Sequence, residues 1–347
     1  MLALLCGVHL SASVCRDGGG SVFRDVDWYL QQTATVTVID ARPSRGDALP
    51  GAVALWHGAL ADNGDLVDVV SLQRTLAESG VSLTRHALVV GDWNMGWGEE
   101  GRILWALRRA GHNHSFILLG GANAIRPVLK SSAPPVSVPA WNVPGKSDVA
   151  VTQPANTVEA LFVDARQPEE FNGTFEQPYG VARSGHVTGA VSLPFWSLFM
   201  NTTCMQSCDV VRGRISEAGW DGDQTLVTLC TTGVRSAFLW AALEDCSLGT
   251  RVHNYDGSMM EWASRGWPMS NPSDASHPES ESTTGPTTTS PPPTTVASPA
   301  DPTAAVTTTT PLTTQATPTK VTASLSSLRT SFFALTASLF AACSLPC

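Results

Sequence analysis

No block of Lys or Arg interrupts the sequence, and the formal net charge is −9. A chain without a basic patch has nothing to neutralise a phosphate backbone, so nucleic acid is not an expected partner. Aromatic residues are missing from Ser273 to Thr330, where 27 of 58 residues are Ser or Thr and 9 are Pro. Such a stretch cannot bury a core. All 11 Trp lie between residues 22 and 272, so the fold is expected there, in a 347-residue chain long enough for about two domains.

A long apolar run followed by basic residues is also missing. Residues 331–347 form an uncharged, largely apolar tail with no Lys or Arg after it, marginal for a helix that must span a bilayer with about 20 apolar residues. With the small residues Ser324, Ser326 and Ser327 upstream, the tail fits a signal exchanged for a glycolipid anchor; a single-pass membrane anchor is the alternative. Residues 1–13 are apolar and end in Ser11, Ala12 and Ser13, which fits a secretory signal peptide or else an apolar first segment. Residues 273–330 then form a Ser/Thr/Pro-rich stalk, open to O-glycosylation or a bare linker. Sequons at Asn113, Asn172 and Asn201 agree weakly with a glycoprotein secreted to the cell surface.

Self-comparison shows a duplication. Val38-Ile39-Asp40-Ala41-Arg42 matches Phe162-Val163-Asp164-Ala165-Arg166, and Gly51-Ala52-Val53 matches Gly189-Ala190-Val191. Further on, Ala87 to Asp92 lines up with Thr225 to Cys230, Ile103-Leu104-Trp105-Ala106 with Phe238-Leu239-Trp240-Ala241, and Leu118 to Gly121 with Asn254 to Gly257. Short continuous apolar runs suit buried parallel strands. Strands alternating with helical stretches make two α/β domains with parallel sheets, expected at residues 22–133 and 148–272. Pro134, Pro135, Pro139 and Pro144 mark a linker at 134–147.

The second copy carries the chemistry. Its strand ends in Cys230-Thr231-Thr232-Gly233-Val234-Arg235, where ligands of α/β sheets bind. Backbone N–H groups running into a helix N-terminus, together with Arg235, favour thiolate over thiol, so Cys230 is the expected nucleophile. A buried structural cysteine is the alternative.

The Cys-x-x-Gly-x-Arg loop, with the duplicated Asp-x-Arg and Gly-Ala-Val elements, resembles the tandem-domain rhodanese family of sulfurtransferases over about residues 22–272. The resemblance implies an active second copy and an inactive first copy, with Asp92 in the place of Cys230. It implies a persulfide on Cys230, formed from thiosulfate or 3-mercaptopyruvate and passed to cyanide or a thiol, without metal or organic cofactor. Thr231, Thr232, Gly233, Val234 and Arg235 would cradle the small anionic sulfur donor, and Arg183 would hold its charge. His186 is expected to be structural, and Asp164 with Arg166 a scaffold pair. Related phosphatases place Arg one position farther from Cys, so the smaller loop favours sulfur over phosphoryl chemistry. A cell-surface binding or adhesion protein that keeps the fold without catalysis is the rival.

Five cysteines remain once both ends are set aside. Cys204 and Cys208, four apart, suit a disulfide; as a metal half-site they lack a second ligand pair. A Cys15–Cys246 bridge would then leave Cys230 free.

Overall fold

A computed structural model describes residues 20–42, 47–62, 64–129, 136–146, 150–151, 160–175, 180–201 and 204–271. The signal peptide, stalk and tail expected at 1–13, 273–330 and 331–347 lie outside the described residues. Among the described residues no helix is long and apolar enough to cross a membrane.

The protein has a mixed α/β fold built on two parallel sheets. The first repeat runs β1 (Phe23–Arg24), α1 (Val26–Gln32), β2 (Val36–Asp40), β3 (Val53–Ala54), a hairpin of β4 (Ala61–Asp62) and β5 (Asp65–Leu66), α2 (Val69–Glu78), β6 (His86–Val90), α3 (Glu99–Arg109), β7 (Ser115–Leu118) and α4 (Gly121–Ile125). The second continues with β8 (Ala150–Val151), β9 (Ala160–Asp164), α5 (Pro168–Phe171), β10 (His186–Val187), β11 (Val191–Ser192), α6 (Cys208–Glu217), β12 (Thr225–Leu229), α7 (Val234–Asp245), β13 (Val252–Tyr255), α8 (Ser258–Ser264) and β14 (Met269–Ser270).

The strand orders, β1-β7-β6-β2-β3 and β8-β13-β12-β9-β11, are the same order twice. The central strands are buried along nearly their whole length, as sheets covered by helices on both faces require. Side chains start several of the helices: Asp25 accepts from the Trp28 N–H, Asp68 from Val70 and Ser71, and Ser207 from Val210, each satisfying an otherwise orphaned donor.

Strand pairing corrects the alignment of the repeats by one residue. Asp40 lies beside Val90 in the first sheet and Asp164 beside Leu229 in the second, so Val90 is the counterpart of Leu229 and Gly91, not Asp92, that of Cys230. Likewise Val89 pairs with Ile117 and Thr228 with Asn254, which sets Gly121 opposite Ser258. A strand buried on both faces has no polar alternation to fix its phase, so its apolar run can be slid by one residue without an evident penalty. The helices match as read, since Gly98 and Gly233 are left-handed N-caps of α3 and α7, at φ 84° and 79°.

The two repeats share one apolar core. Helices α3 and α7 pack so closely that a Cβ on Gly101 would strike the Phe238 backbone. Phe195, Trp93 and Phe23 ring Phe238 at centroid distances of 5.2, 6.1 and 5.7 Å. Polar ties cross the same junction: Asp245 accepts from the N–H groups of Val22 and Phe23, and Asp256 from that of Leu66.

The disulfides differ from expectation. Cys208, the first residue of α6, is bonded to Cys246, the C-cap of α7, at a Cα separation of 5.1 Å, and Cys204 is disulfide-bonded as well. This replaces both the Cys204–Cys208 and the Cys15–Cys246 pairings. The reason is packing, for α6 and the end of α7 bring those two residues within bridging distance. Cys230 is the free cysteine among the described residues.

Candidate active site

Strand β12 delivers Cys230 to the carboxyl edge of the second sheet, and the chain turns from there into α7 within Thr231, Thr232 and Gly233. Only glycine fits the last of these positions. Its φ is 79°, and a Cβ would sit 2.5 Å from the Arg102 guanidinium and 2.8 Å from the Asp256 carbonyl. The loop is fastened to the start of α8. The Cys230 N–H donates to Ser258 Oγ at 3.2 Å, and the Met259 and Met260 N–H groups donate to the carbonyls of Cys230 and Thr231 at 3.0 and 3.1 Å. Ser258 holds this place with a left-handed φ of 47° while its hydroxyl donates to the Tyr255 carbonyl.

Cys230 is 1% exposed. Burial pushes its thiol pKa up, but the charge of Arg235, the N–H and hydroxyl of Ser236 and the N–H of Thr232 outweigh that and hold it below the ordinary thiol value. This is the direction expected of a nucleophile.

Arg235 does its part indirectly. Its guanidinium makes a two-pronged ion pair with Glu170 at 2.6 and 2.9 Å and donates to Thr231 Oγ1 at 2.7 Å. Burial opposes the charge, yet the Glu170 carboxylate and the Cys230 thiolate more than offset it, so the pKa of Arg235 lies above its ordinary value. Burial likewise opposes the Glu170 charge, and Arg235 pulls that carboxyl below its usual range. Arg235 and Thr231, expected to contact the donor, are here held by Glu170 at the back of the loop. Both are buried and engaged with Glu170, because an unpaired guanidinium at this depth would be far more costly.

Among the other expected residues, Thr232 and Val234 line a cavity of about 290 Å³ together with Trp56, His57, Arg102 and neighbours from the first repeat. Arg183 is exposed, donates to the Trp267 carbonyl at 2.5 Å and does not line that cavity. His186 Nδ1 lies 2.8 Å from the Phe171 carbonyl and its ring stacks on Phe171, a structural role. Arg166 pairs with Asp164 at 2.7 Å, both fully buried, and Arg42 repeats the pair with Asp40.

Sequence reasoning passed over Glu170, Ser258 and Arg102. Glu170 had a signal in Gln167-Pro168-Glu169-Glu170, a capping box with Pro at the helix start, which places a carboxylate just after the Asp-Ala-Arg strand. Ser258 and Arg102 had none, since they reach the loop from β13–α8 and from the first repeat. Trp97, in the loop that corresponds to the Cys230 loop, sits 5.6 Å from the Arg235 guanidinium.

The model of the Rhodanese-like domain matches residues 149–265. The chain contains a rhodanese-like domain. Over 270 residues the chain is 29% identical to a Mycolicibacterium smegmatis protein named "Putative thiosulfate sulfurtransferase", covering 70% of this chain and 95% of that one. It is 27% identical over 259 residues to the 3-mercaptopyruvate sulfurtransferase of Mus musculus, covering 70% and 85%. Among solved structures, SseA of Escherichia coli, described as a 3-mercaptopyruvate sulfotransferase with the rhodanese fold, aligns with a TM-score of 0.57 at 23% identity, over 69% of this chain and 98% of that one. The rhodanese fold and the sulfurtransferase class follow from these likenesses, and the twin sheets fit a tandem organisation.

Proposed function

We propose that the sulfurtransferase chemistry of this chain runs through a persulfide on Cys230. The observation that carries the reading is a buried cysteine, free among the described residues, at the end of a central strand, with its pKa held down by the Arg235 charge and by the Ser236 and Thr232 N–H groups. With thiosulfate, the Cys230 thiolate attacks the outer sulfur, the S–S bond breaks and sulfite leaves with the electron pair. With 3-mercaptopyruvate the C–S bond breaks and pyruvate leaves as its enolate, which takes up a proton. The Thr232 and Ser236 N–H groups stabilise the thiolate, and Arg235, locked by Glu170, supplies its field. Arg183 is assigned to the donor anion because its side chain is exposed and, among the described residues, its guanidinium contacts the Trp267 carbonyl alone. Cyanide or a thiol then removes the sulfur.

Purified chain should convert thiosulfate and cyanide to sulfite and thiocyanate, and Cys230→Ser should abolish turnover. A correctly folded wild-type chain inert towards both donors would overturn the reading and leave a binding module.

A further inference from the structure

Arg102 of α3 is 1% exposed, and its guanidinium reaches three separate parts of the chain. It pairs with Asp256 at 2.5 Å, donates to the carbonyl of Gly64 in the turn of the β4–β5 hairpin at 2.8 Å, and donates to the Gly233 carbonyl at 3.4 Å. Asp256 is held in turn by the Leu66 N–H at 2.9 Å and by Arg109 at 3.5 Å. Two residues after Asp256 stands Ser258, whose Oγ accepts from the Cys230 N–H at 3.2 Å. One guanidinium thus fixes both ends of the Cys230 loop, Gly233 directly and Cys230 through the segment from Asp256 to Ser258. Gly233 needs an outside clamp, because a glycine backbone has left-handed and right-handed conformations about equally open to it. A buried ion pair adds little to stability compared with a well-packed apolar core, so this one is better read as a device of shape.

We propose that Arg102, together with Asp256, is a positioning residue for sulfur transfer, keeping the Cys230 loop in the shape that binds the thiolate. The proposal rests on Cys230 as the reactive thiol, and it gives the first repeat a part in the chemistry although Gly91 stands there in the place of Cys230. The bonds of Arg102 are to Gly233 and Asp256, and it acts on Cys230 through them. Charge alone does not suffice for this. The planar guanidinium fork holds three acceptors at once, which a single ammonium on a flexible stem does not. In a loosened loop the Thr232 N–H, one of the groups that favour the thiolate, swings off the sulfur. A thiolate that loses a hydrogen-bond donor takes up a proton more readily.

The test reads the pH midpoint of Cys230 alkylation by iodoacetamide in the full chain, with turnover of thiosulfate and cyanide measured beside it. Arg102→Lys keeps the charge and loses the fork. Its midpoint should rise by about one pH unit, so that below both midpoints the thiolate, and alkylation with it, falls about tenfold. Asp256→Asn removes a carboxylate, which by charge alone would lower the midpoint; release of the segment that carries Ser258 should raise it instead. A merely structural role would lower the melting temperature and leave the midpoint at its wild-type value. A midpoint that stays or falls in either folded variant overturns the proposal. Thermal melts identify a variant that fails to fold, and the other then decides alone. Alkylation needs no sulfur donor, so a wild-type chain inert in turnover refutes the persulfide reading while the midpoints still decide this one.

Discussion

Glu100 lies in the first turn of α3 with no exposed surface. Burial, aided by Glu99 and Asp92, pushes its pKa from 4.5 up to about 8 against the backbone N–H groups of Glu100 and Trp93. The folded protein therefore keeps a proton that the unfolded chain releases above about pH 4.5. Because the folded-state value is raised, the contribution to stability is full below 4.5 and is lost as pH rises towards 8. At about 1.4 kcal/mol per pH unit, the loss between pH 5 and 7.5 amounts to about 3 kcal/mol. Glu100→Gln has nearly the same shape and no proton to lose, so it should not share that loss. Urea unfolding of both proteins across this range should show the variant gaining on the wild type by about 3 kcal/mol. A difference between them that stays constant with pH would refute the account of Glu100 as a buried, protonated carboxyl.

Alkylation of Cys230 by iodoacetamide should rise with pH to half its maximum below the usual thiol value of 9.0, and a midpoint above it would contradict the depressed pKa. Glu170→Ala leaves the Arg235 guanidinium buried without its carboxylate and should destabilise the protein by about 3–5 kcal/mol, read by urea unfolding. Gly233→Ala should cost about 1–3 kcal/mol through its left-handed φ and reduce sulfur transfer by displacing the loop, read by thermal melt and turnover; wild-type values of both would contradict the crowding described. Arg183→Ala should raise donor KM roughly tenfold or more with the melt unchanged, for a charge-assisted contact worth about 1.5–3 kcal/mol; an unchanged KM for every anionic donor would remove that assignment.

The repeated strands were legible because Asp40-Ala41-Arg42 and Asp164-Ala165-Arg166 carry the same buried ion pair in each repeat. The nucleophile was legible because Cys, Gly and Arg occupy fixed offsets in one short loop. Contacts between elements far apart in the chain were not. The Glu170–Arg235 pair spans 65 residues and the Arg102–Gly233 contact 131, and nothing local in either segment names its partner. The cysteine pairing failed for the same reason, since Cys208 and Cys246 are 38 residues apart and meet only because α6 packs beside α7.

The corrected register explains why one repeat carries a thiol and the other does not. Glu100 and Arg235 occupy the same place, second after the left-handed glycine that starts each helix, so the cation that favours a thiolate is replaced by a carboxyl. Gly91 stands where Cys230 does, and a Cβ there would collide with the Glu100 carboxyl. Placing a cysteine at 91 would thus meet a steric clash and lack the nearby cation that favours the Cys230 thiolate. The first repeat is committed to another role, because the helix that lost the cation now supplies Arg102, which donates to the carbonyl of Gly233 at 3.4 Å and pairs with Asp256. The geometry of the Cys230 loop thus draws on both repeats, whose buried side chains meet in one apolar cluster.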